Sequence, residues 1–196
     1  MIRRVCVYCG SNFGASPEHR AAAEALGTRL ARSGLGLVYG GGNVGLMGVI
    51  ADAALRAGGE VIGVIPRALQ EKELGHGGCT ELRVVGSMHE RKQLMADLAD
   101  GFIALPGGGG TLEELFETFT WLQLGFHTKP VGLLNVAGFF DQLLAFLRHV
   151  TAEQFLKPEH FDCLLVEADA AMLLARMAEF RAPRLGKWTS PGPEER

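Results

Sequence analysis

The sequence has no long hydrophobic run, no excess of basic residues and few cysteines. No apolar stretch approaches the roughly 18 residues that a membrane-spanning helix needs, and no signal peptide precedes the first strand-like segment. The formal net charge of −3, from 19 basic and 22 acidic residues, gives no support for a nucleic-acid or anionic-membrane surface. We therefore expect a cytoplasmic protein whose partner is a small molecule, and neither a nucleic acid nor a membrane.

Cysteine and histidine are too few or too scattered to predict a metal or redox site. The four cysteines include one CxxC pair, Cys6 and Cys9, but the pair lies in a strand-like segment, where residues three apart face opposite sides. His89 opens the segment HERKQ, which resembles the start of a zinc-binding helix, yet Gln93 stands where the second histidine would be. We expect free thiols, no metal and no organic cofactor.

Common nucleotide and nucleophile motifs are incomplete or absent. Residues 40–45 spell GxGxxG, but the following strand closes with Pro66 and Arg67, where a dinucleotide site needs an acidic residue to hold the ribose. A Walker P-loop is absent, because the only Gly-Lys pair is followed by Trp188, and no GxSxG elbow occurs. These absences argue against a dinucleotide enzyme, a P-loop NTPase and an α/β-hydrolase.

What the sequence does have is a regular alternation of apolar, β-rich segments with segments of helical period. This alternation predicts an α/β fold, a Rossmann-like, doubly wound, mostly parallel sheet of about seven strands with helices on both faces. We expect strands at 3–9, 34–40, 60–66, 81–86, 101–106, 129–135 and 161–167, and helices at 17–32, 44–57, 88–100, 112–124, 139–150 and 170–181. Ser16 before Pro17, and the capping box from Ser87 to Glu90, mark two helix starts.

One domain accounts for residues 1–181 in this interpretation. Residues 66–81 are a polar connection without a clear period, and residues 182–196, with three prolines, are expected to form a loose tail. We therefore expect a single Rossmann-like domain, and its nucleotide-binding character depends on the glycine clusters that follow its strands.

Glycine is abundant, with 27 residues, and three clusters follow predicted strands: CGSNFG at 9–14, YGGGNVG at 39–45 and LPGGGGT at 105–111. In open parallel sheets, ligands bind beyond the carboxyl ends of the strands. The last two clusters run directly into predicted helices, whose N-termini offer unpaired N–H groups that a phosphate can approach over glycine. An anion cradle is the simplest interpretation, and tight turns without a ligand are the alternative.

Charged residues gather around the third cluster. Arg91 and Lys92 lie near a helix start, where the helix dipole disfavours cations, so they either face solvent or meet a phosphate or carboxylate in the crevice. Glu113, Glu114 and Glu117 open the next helix, where glutamates also suit the dipole for purely structural reasons.

Three segments, YGGGNVGLMG, MHERK and PGGGGTLEE, together resemble the LOG (Lonely Guy) family, the cytokinin riboside 5′-monophosphate phosphoribohydrolases, whose hallmark is PGGxGTxxE. The likeness covers about residues 3–155. It implies hydrolysis of the N-glycosidic bond of an N6-substituted adenosine 5′-monophosphate to the free base and ribose 5-phosphate. It also implies a homodimer with the site near its interface.

The resemblance implies residue roles as well. Arg91 and Glu114 are implied to be catalytic. The implied substrate contacts are Glu73, Arg91, Lys92, Gly108, Gly109, Gly110, Thr111, Leu112, Glu113, Glu114 and Thr120. Gly109 stands at the variable position of the hallmark, where relatives often place a larger side chain. A helix start and a nearby Arg91 would both favour an ionised Glu114, acting as stabiliser of an oxocarbenium-like ribose or as base toward the attacking water.

Two other functions share most of these residues. One is an AMP nucleosidase, and the other is a non-catalytic nucleotide or cofactor carrier, similar to the molybdenum-cofactor carrier proteins. Residues 113–126 bear on the oligomeric state, because their apolar side chains are spread more widely than one core-facing stripe requires. A partner subunit would cover the surplus, whereas a helix buried on two sides of a monomer is the alternative.

Overall fold

The computed structural model describes residues 1–73 and 75–182, with only the backbone of Glu73. The described elements are β1 (Arg4–Tyr8), α1 (Pro17–Arg32), β2 (Gly36–Tyr39), α2 (Gly45–Arg56), β3 (Val61–Pro66), α3 (Arg67–Glu73), β4 (Glu81–Val85), α4 (Met88–Leu98), β5 (Gly101–Ala104), α5 (Gly109–Leu124), β6 (Val131–Leu134), a 3₁₀ turn (Val136–Gly138), α6 (Asp141–Ala152), α7 (Pro158–Phe161), β7 (Leu164–Glu167) and α8 (Ala170–Glu179). The predicted tail lies outside the described residues from position 183 onward.

The seven strands form one sheet in the order β4-β3-β2-β1-β5-β6-β7, and every neighbouring pair is parallel. The predicted α/β class and strand number are therefore confirmed. The chain moves outward from β1 to β4 and then returns to β5 on the other side of β1. The connections thus diverge between β1 and β5, and open α/β sheets carry their ligand crevice at such a point.

Two hydrophobic clusters cover the two faces of the sheet. Helices α1, α2 and α8 bury residues such as Leu26, Ile50 and Leu173 on one face, and α4, α5 and α6 bury others on the opposite face. Cys6 belongs to the α5 side and Cys9 to the α1 side, as the strand period predicts. Within the described residues, no helix is long and apolar enough to cross a membrane.

Local capping places the helix that carries the two candidate cations. Ser87 Oγ accepts the N–H of Glu90 at 3.1 Å, and the Glu90 carboxylate accepts the N–H of Gly86 at 2.7 Å. These reciprocal bonds define the first turn of α4 and so set the direction in which Arg91 leaves the helix. The other predicted cap is also present, since Ser16 Oγ accepts the N–H of Glu18 at 3.2 Å.

Three elements differ from the sequence prediction, and one of them is α7, a single turn at Pro158–Phe161 that the prediction lacks. Helix α5 begins at Gly109 and not at Leu112, so Gly109, Gly110 and Thr111 form its first turn and Glu114 lies in the second. The connection at 66–81 contains α3 and an antiparallel bridge between Gly42 and Gly75. Glycine has a low helix propensity and α3 is short, so pattern alone does not reveal either feature.

Candidate active site

A cleft of about 300 Å³ lies beyond the carboxyl ends of β1, β2 and β5, where the connections diverge. Tyr8 and Cys9 line it from the end of β1, and Leu69 lines it from α3. Arg91 of α4 and Glu114 of α5 also reach it. The volume is at the lower end of the range of small-molecule sites.

The four glycines before and within α5 serve two different purposes. A Cβ on Gly107 would lie 2.1 Å from Thr111 Oγ1 and 2.9 Å from Gly10 N, so protein packing requires this glycine. A Cβ on Gly108, Gly109 or Gly110 would meet no protein atom within 4 Å. Packing therefore does not require these three glycines, which leave the start of α5 bare.

The start of α5 is also without a side-chain cap. Gly108 is its N-cap residue and has no side chain to accept the first N–H groups. Because a helix N-terminus carries unpaired N–H groups and a partial positive charge, the bare turn at Gly109–Thr111 is suited to an anion. This arrangement is the one expected of the anion cradle that the third glycine cluster predicts.

The second glycine cluster is filled by protein atoms instead. Gly45 has a φ of +55°, and a Cβ there would lie 2.2 Å from the carbonyl carbon of Ser11. The N–H of Leu46 in the first turn of α2 donates to Gly10 O at 3.0 Å. The tight-turn alternative therefore describes YGGGNVG, and the open cradle is confined to PGGGGT.

Arg91 is held at the bottom of the cleft by backbone. Its Nε donates to Val64 O at 3.1 Å, and its Nη2 donates to Gly40 O at 3.2 Å. The remaining nitrogen, Nη1, lies 3.6 Å from Glu114 Oε1, and both side chains are only 11% exposed. The predicted proximity of Arg91 and Glu114 is confirmed, at a separation slightly longer than a hydrogen bond.

The environment of Glu114 differs from the one that the sequence predicts. Burial raises the pKa of Glu114 to about 7, and this effect exceeds the opposing attraction of Arg91. The sequence argument placed the carboxylate in the first turn of a helix, whereas α5 begins earlier, so Glu114 lies in the second turn and is buried. Near neutral pH, both forms of the carboxyl group are populated.

Lys92 is bound by two carboxylate groups of α5. Its Nζ contacts the carboxylate of Glu113 and donates to Glu117 Oε1 at 3.0 Å. The hydrogen bond to Glu113 is the main reason that the pKa of Lys92 is raised, and the Lys92 side chain is 11% exposed. This contact ties α4 to α5 beside the cleft, so the ammonium group does not point freely toward a ligand.

The cleft brings together six of the predicted site residues. They are Arg91, Gly108, Gly109, Gly110, Thr111 and Glu114. Leu112 packs on the face that α4, α5 and α6 cover. Thr120 is exposed and lies about 120° around the helix axis from Glu114, so it does not enter the cleft of its own chain. The side chain of Glu73 lies outside the described part of the structure.

Sequence reasoning missed several residues that line the cleft. Tyr8, Cys9, Ser11 and Met47 all contribute to its walls. Three of them fall in or beside the first glycine cluster, whose position after a strand was the available signal. Met47 carries no such signal, because an apolar residue in a helix is usually core. Within the described residues, no group of three or more His, Cys, Asp or Glu side chains could hold a metal ion.

Comparison with known proteins identifies the family. A family model described as "Possible lysine decarboxylase" matches residues 47–177. The chain is 51% identical over 179 residues to the probable cytokinin riboside 5′-monophosphate phosphoribohydrolase LOGL9 of Oryza sativa subsp. japonica, covering 91% of this chain and 79% of that protein. It is 46% identical over 189 residues to the cytokinin riboside 5′-monophosphate phosphoribohydrolase LOG1 of Arabidopsis thaliana, covering 96% and 88%. The chain belongs to the LOG family.

Solved structures of proteins with lower sequence similarity have the same fold as this LOG protein. The molybdenum cofactor carrier protein of Chlamydomonas reinhardtii superimposes with a TM-score of 0.68 at 22% identity, covering 91% of this chain and 98% of that chain. The molybdenum cofactor binding protein of Rippkaea orientalis gives 0.69 at 23% identity, covering 91% and 97%. At such identity the likeness concerns the fold alone.

The decarboxylase description of the family model finds no support in the LOG cleft. Such an enzyme typically anchors pyridoxal phosphate on a lysine. The lysines of the described residues are Lys72, Lys92, Lys129 and Lys157, and none of them lines the cleft.

Proposed function

We propose that this LOG protein hydrolyses the N-glycosidic bond of N6-substituted adenosine 5′-monophosphates, the cytokinin nucleotides, and releases the free base and ribose 5-phosphate. One observation carries the proposal: a buried Arg91–Glu114 pair and a bare helix N-terminus line the same cleft. The phosphoribohydrolases to which the chain is about half identical support the same reaction.

The 5′-phosphate is assigned to the first turn of α5. The N–H groups of Gly109, Gly110 and Thr111 can donate to phosphate oxygens, and no side chain at Gly109 or Gly110 keeps the anion away. Binding of the phosphate then fixes the ribose at a defined distance from the end of the helix, so that binding energy far from the reacting bond positions that bond.

Glu114 and Arg91 are assigned to the reacting end of the nucleotide. The C1′–N9 bond breaks and its electron pair stays with the purine, the hydroxyl of a water bonds to C1′, and one proton of that water ends on the purine. Positive charge develops on the ribose, so the Glu114 carboxylate would bind the transition state better than the substrate, or would take the proton of the attacking water. A pKa near 7 suits a general base at neutral pH.

Arg91 would orient both the carboxylate and the substrate through Nη1. Nη1 lies 3.6 Å from Glu114 Oε1 and 3.9 Å from Met88 Sδ, which is a weak acceptor, so Nη1 can still donate to a substrate oxygen. Lys92 and Glu113 were expected to contact the substrate, but each is already occupied by the other. We therefore assign the phosphate to the backbone of α5 and give Lys92 a structural role.

We further propose a homodimer with the site near its interface. Leu115, Phe119 and Leu122 of α5 are buried in the core, whereas Phe116 is half-buried and Phe126 is 74% exposed. A second copy packed on the outward face would cover this apolar surface. It would also bring Thr120, which lies on that face, toward the neighbouring chain. Light scattering at micromolar concentration tests the dimer, and a monomeric mass would contradict it.

The reaction itself is tested with a panel of nucleotides. Isopentenyladenosine 5′-monophosphate, AMP and isopentenyladenosine are incubated with the purified protein. The released free base is measured by mass spectrometry for all three, and ribose 5-phosphate is measured for the two nucleotides. We expect the highest kcat/KM for the prenylated monophosphate and a large loss without the phosphate. A preference for AMP would favour a nucleosidase, and retention of a nucleotide without turnover would favour a carrier.

A further inference from the structure

The glycine turn after β2, residues 40–42, has no task in the mechanism above, although it is one of the motifs by which the sequence resembles its family. Gly40 lines the cleft, but unlike Gly108, Gly109 and Gly110 it has protein atoms where a Cβ would stand. A Cβ on Gly41, whose φ is +75°, would meet Ile65 and Leu82 at 3.1 and 3.2 Å. The turn therefore packs against the neighbouring strands.

Gly40 lies directly against the guanidinium group of Arg91. A Cβ on Gly40 would be 2.0 Å from Arg91 Nη2 and 3.2 Å from its Cζ. The φ of Gly40 is not in the left-handed region, so the backbone would accept another residue. What excludes a side chain at position 40 is chiefly the guanidinium group of Arg91, and Met47 Sδ is also close to the Cβ position, at 3.2 Å.

The carbonyl groups of the same region determine how the guanidinium is turned. Nε donates to Val64 O of β3 at 3.1 Å and Nη2 donates to Gly40 O, after β2, at 3.2 Å. A guanidinium group is planar, so two bonds along one edge fix the direction of the third nitrogen. That nitrogen is Nη1, which faces Glu114 at 3.6 Å.

The turn is also held by hydrogen bonds that do not involve Arg91. Gly41 O accepts the N–H of His76 at 3.0 Å, and His76 Nε2 lies 3.1 Å from Asp52 Oδ1 of α2. His76 Nδ1 accepts the N–H of Gly78 at 3.1 Å, so Nε2 is the nitrogen that donates to Asp52. The Gly40 carbonyl is therefore attached to a turn that α2 and the loop after α3 hold in place.

We propose that Gly40 is a positioning residue for Arg91. Its carbonyl and that of Val64, with the space above the Gly40 Cα, form an arginine seat that aims Nη1 at Glu114 and the substrate. The guanidinium group is the far end of the flexible Arg91 side chain. A methyl group at position 40 therefore displaces the guanidinium group without disrupting the fold. The kinetic test of this inference rests on the proposed function, whereas the spectroscopic test does not.

The kinetic test compares Gly40→Ala with Gly77→Ala. Gly77 is exposed, has open space around its Cα and takes no part in the site, so its variant is expected to hydrolyse the nucleotide at the parent rate. Gly40→Ala is expected to lower kcat/KM about 10²-fold, the scale of losing one electrostatic stabiliser, while Tm changes by only a few degrees.

A double-mutant cycle distinguishes positioning from an independent role of the turn. If Gly40 acts only through Arg91, Gly40→Ala causes no further loss in an Arg91→Ala background, and the double variant matches Arg91→Ala within about twofold. A Gly40→Ala protein as active as the parent, or a loss of the same size in both backgrounds, would overturn the proposal.

Nuclear magnetic resonance tests the arginine seat without any substrate. The Arg91 Nε–H resonance is assigned by its absence in Arg91→Ala, and its exchange with solvent is compared with that of exposed arginines. We expect slow exchange in the parent, unchanged exchange in Gly77→Ala and fast exchange in Gly40→Ala. Fast exchange in the parent would refute the seat even if Gly40→Ala does not fold. If no nucleotide is hydrolysed but Nε–H is protected, the proposed reaction fails and the seat stands.

Discussion

Replacing Glu114 by glutamine should stabilise the protein at alkaline pH while lowering its activity. The folded state raises the pKa of Glu114 from an ordinary 4.5 to about 7 because the carboxyl group is buried. Below pH 4.5 the group is protonated in the folded and unfolded chains alike. Between pH 4.5 and about 7 the unfolded chain releases this proton while the folded protein retains it, so stability falls progressively, and above about pH 7 the loss is complete.

The size of the effect follows from the two pKa values. The difference between 4.5 and about 7 corresponds to roughly 3 kcal/mol of unfolding free energy, at about 1.36 kcal/mol for each pH unit. Glutamine resembles the protonated carboxyl group in shape and charge. The Glu114→Gln variant should therefore equal the parent at pH 4 and exceed it by about 3 kcal/mol at pH 8, which is roughly 6–12 °C in Tm for a chain of this size.

Denaturant unfolding between pH 4 and pH 8 measures this difference. Titrations shared by parent and variant cancel, and Glu153→Gln, an exposed glutamate after α6, controls for the substitution itself. The same buffers serve for activity, where Glu114→Gln should lower kcat about 10²-fold. In the parent, kcat/KM should rise roughly tenfold from pH 6 to pH 8 as the carboxylate forms.

Two results would refute this reasoning. A Glu114→Gln variant no more stable than the parent at pH 8 would mean that burial does not penalise the ionised carboxyl group. A parent activity that falls as the pH rises from 6 to 8 would identify Glu114 as a proton donor, and not as a base or an anionic stabiliser.

Three further predictions concern the surroundings of the site. Lys92→Glu should lower the free energy of unfolding by about 1–2 kcal/mol. In urea unfolding and steady-state assays, the double variant with Glu117→Lys should recover most of that stability and the parent KM. A rise in KM that the double variant does not correct would instead make Lys92 a phosphate ligand. Gly107→Ala should lower the free energy of unfolding by roughly 2 kcal/mol because the new methyl group crowds Thr111. Gly109→Ala should leave the free energy of unfolding within about 1 kcal/mol of the parent or slightly above it. Equal losses in the two variants would contradict the two purposes assigned to these glycines. Activity should survive dialysis against EDTA, and a loss that a divalent ion reverses would disprove metal independence.

The sequence by itself determined the order of the strands and of the six longer helices, without α3 and α7, and the location of the cleft. Hydrophobic period, proline and serine caps, and glycine after strands are local signals, and the parallel sheet follows from their alternation. The bounds of α1, Pro17 to Arg32, agree with the prediction at both ends because its cap and its apolar stripe lie within the helix itself. The resemblance to a family, also carried by short segments, directed attention to Arg91 and Glu114.

Only the tertiary structure decided how those residues behave. The pKa of Glu114 depends on burial by several elements and on Arg91 from another helix, and no local pattern encodes that environment. Whether a glycine faces a ligand or a packed neighbour depends on the direction of its missing Cβ. Gly40 and Gly109 look alike in the sequence and both line the cleft, but a Cβ on Gly40 would meet Arg91, whereas a Cβ on Gly109 would meet no protein atom. Lys92 is likewise a free cation in the sequence and a link between two helices in the fold, because its carboxylate partners are 21 and 25 positions away.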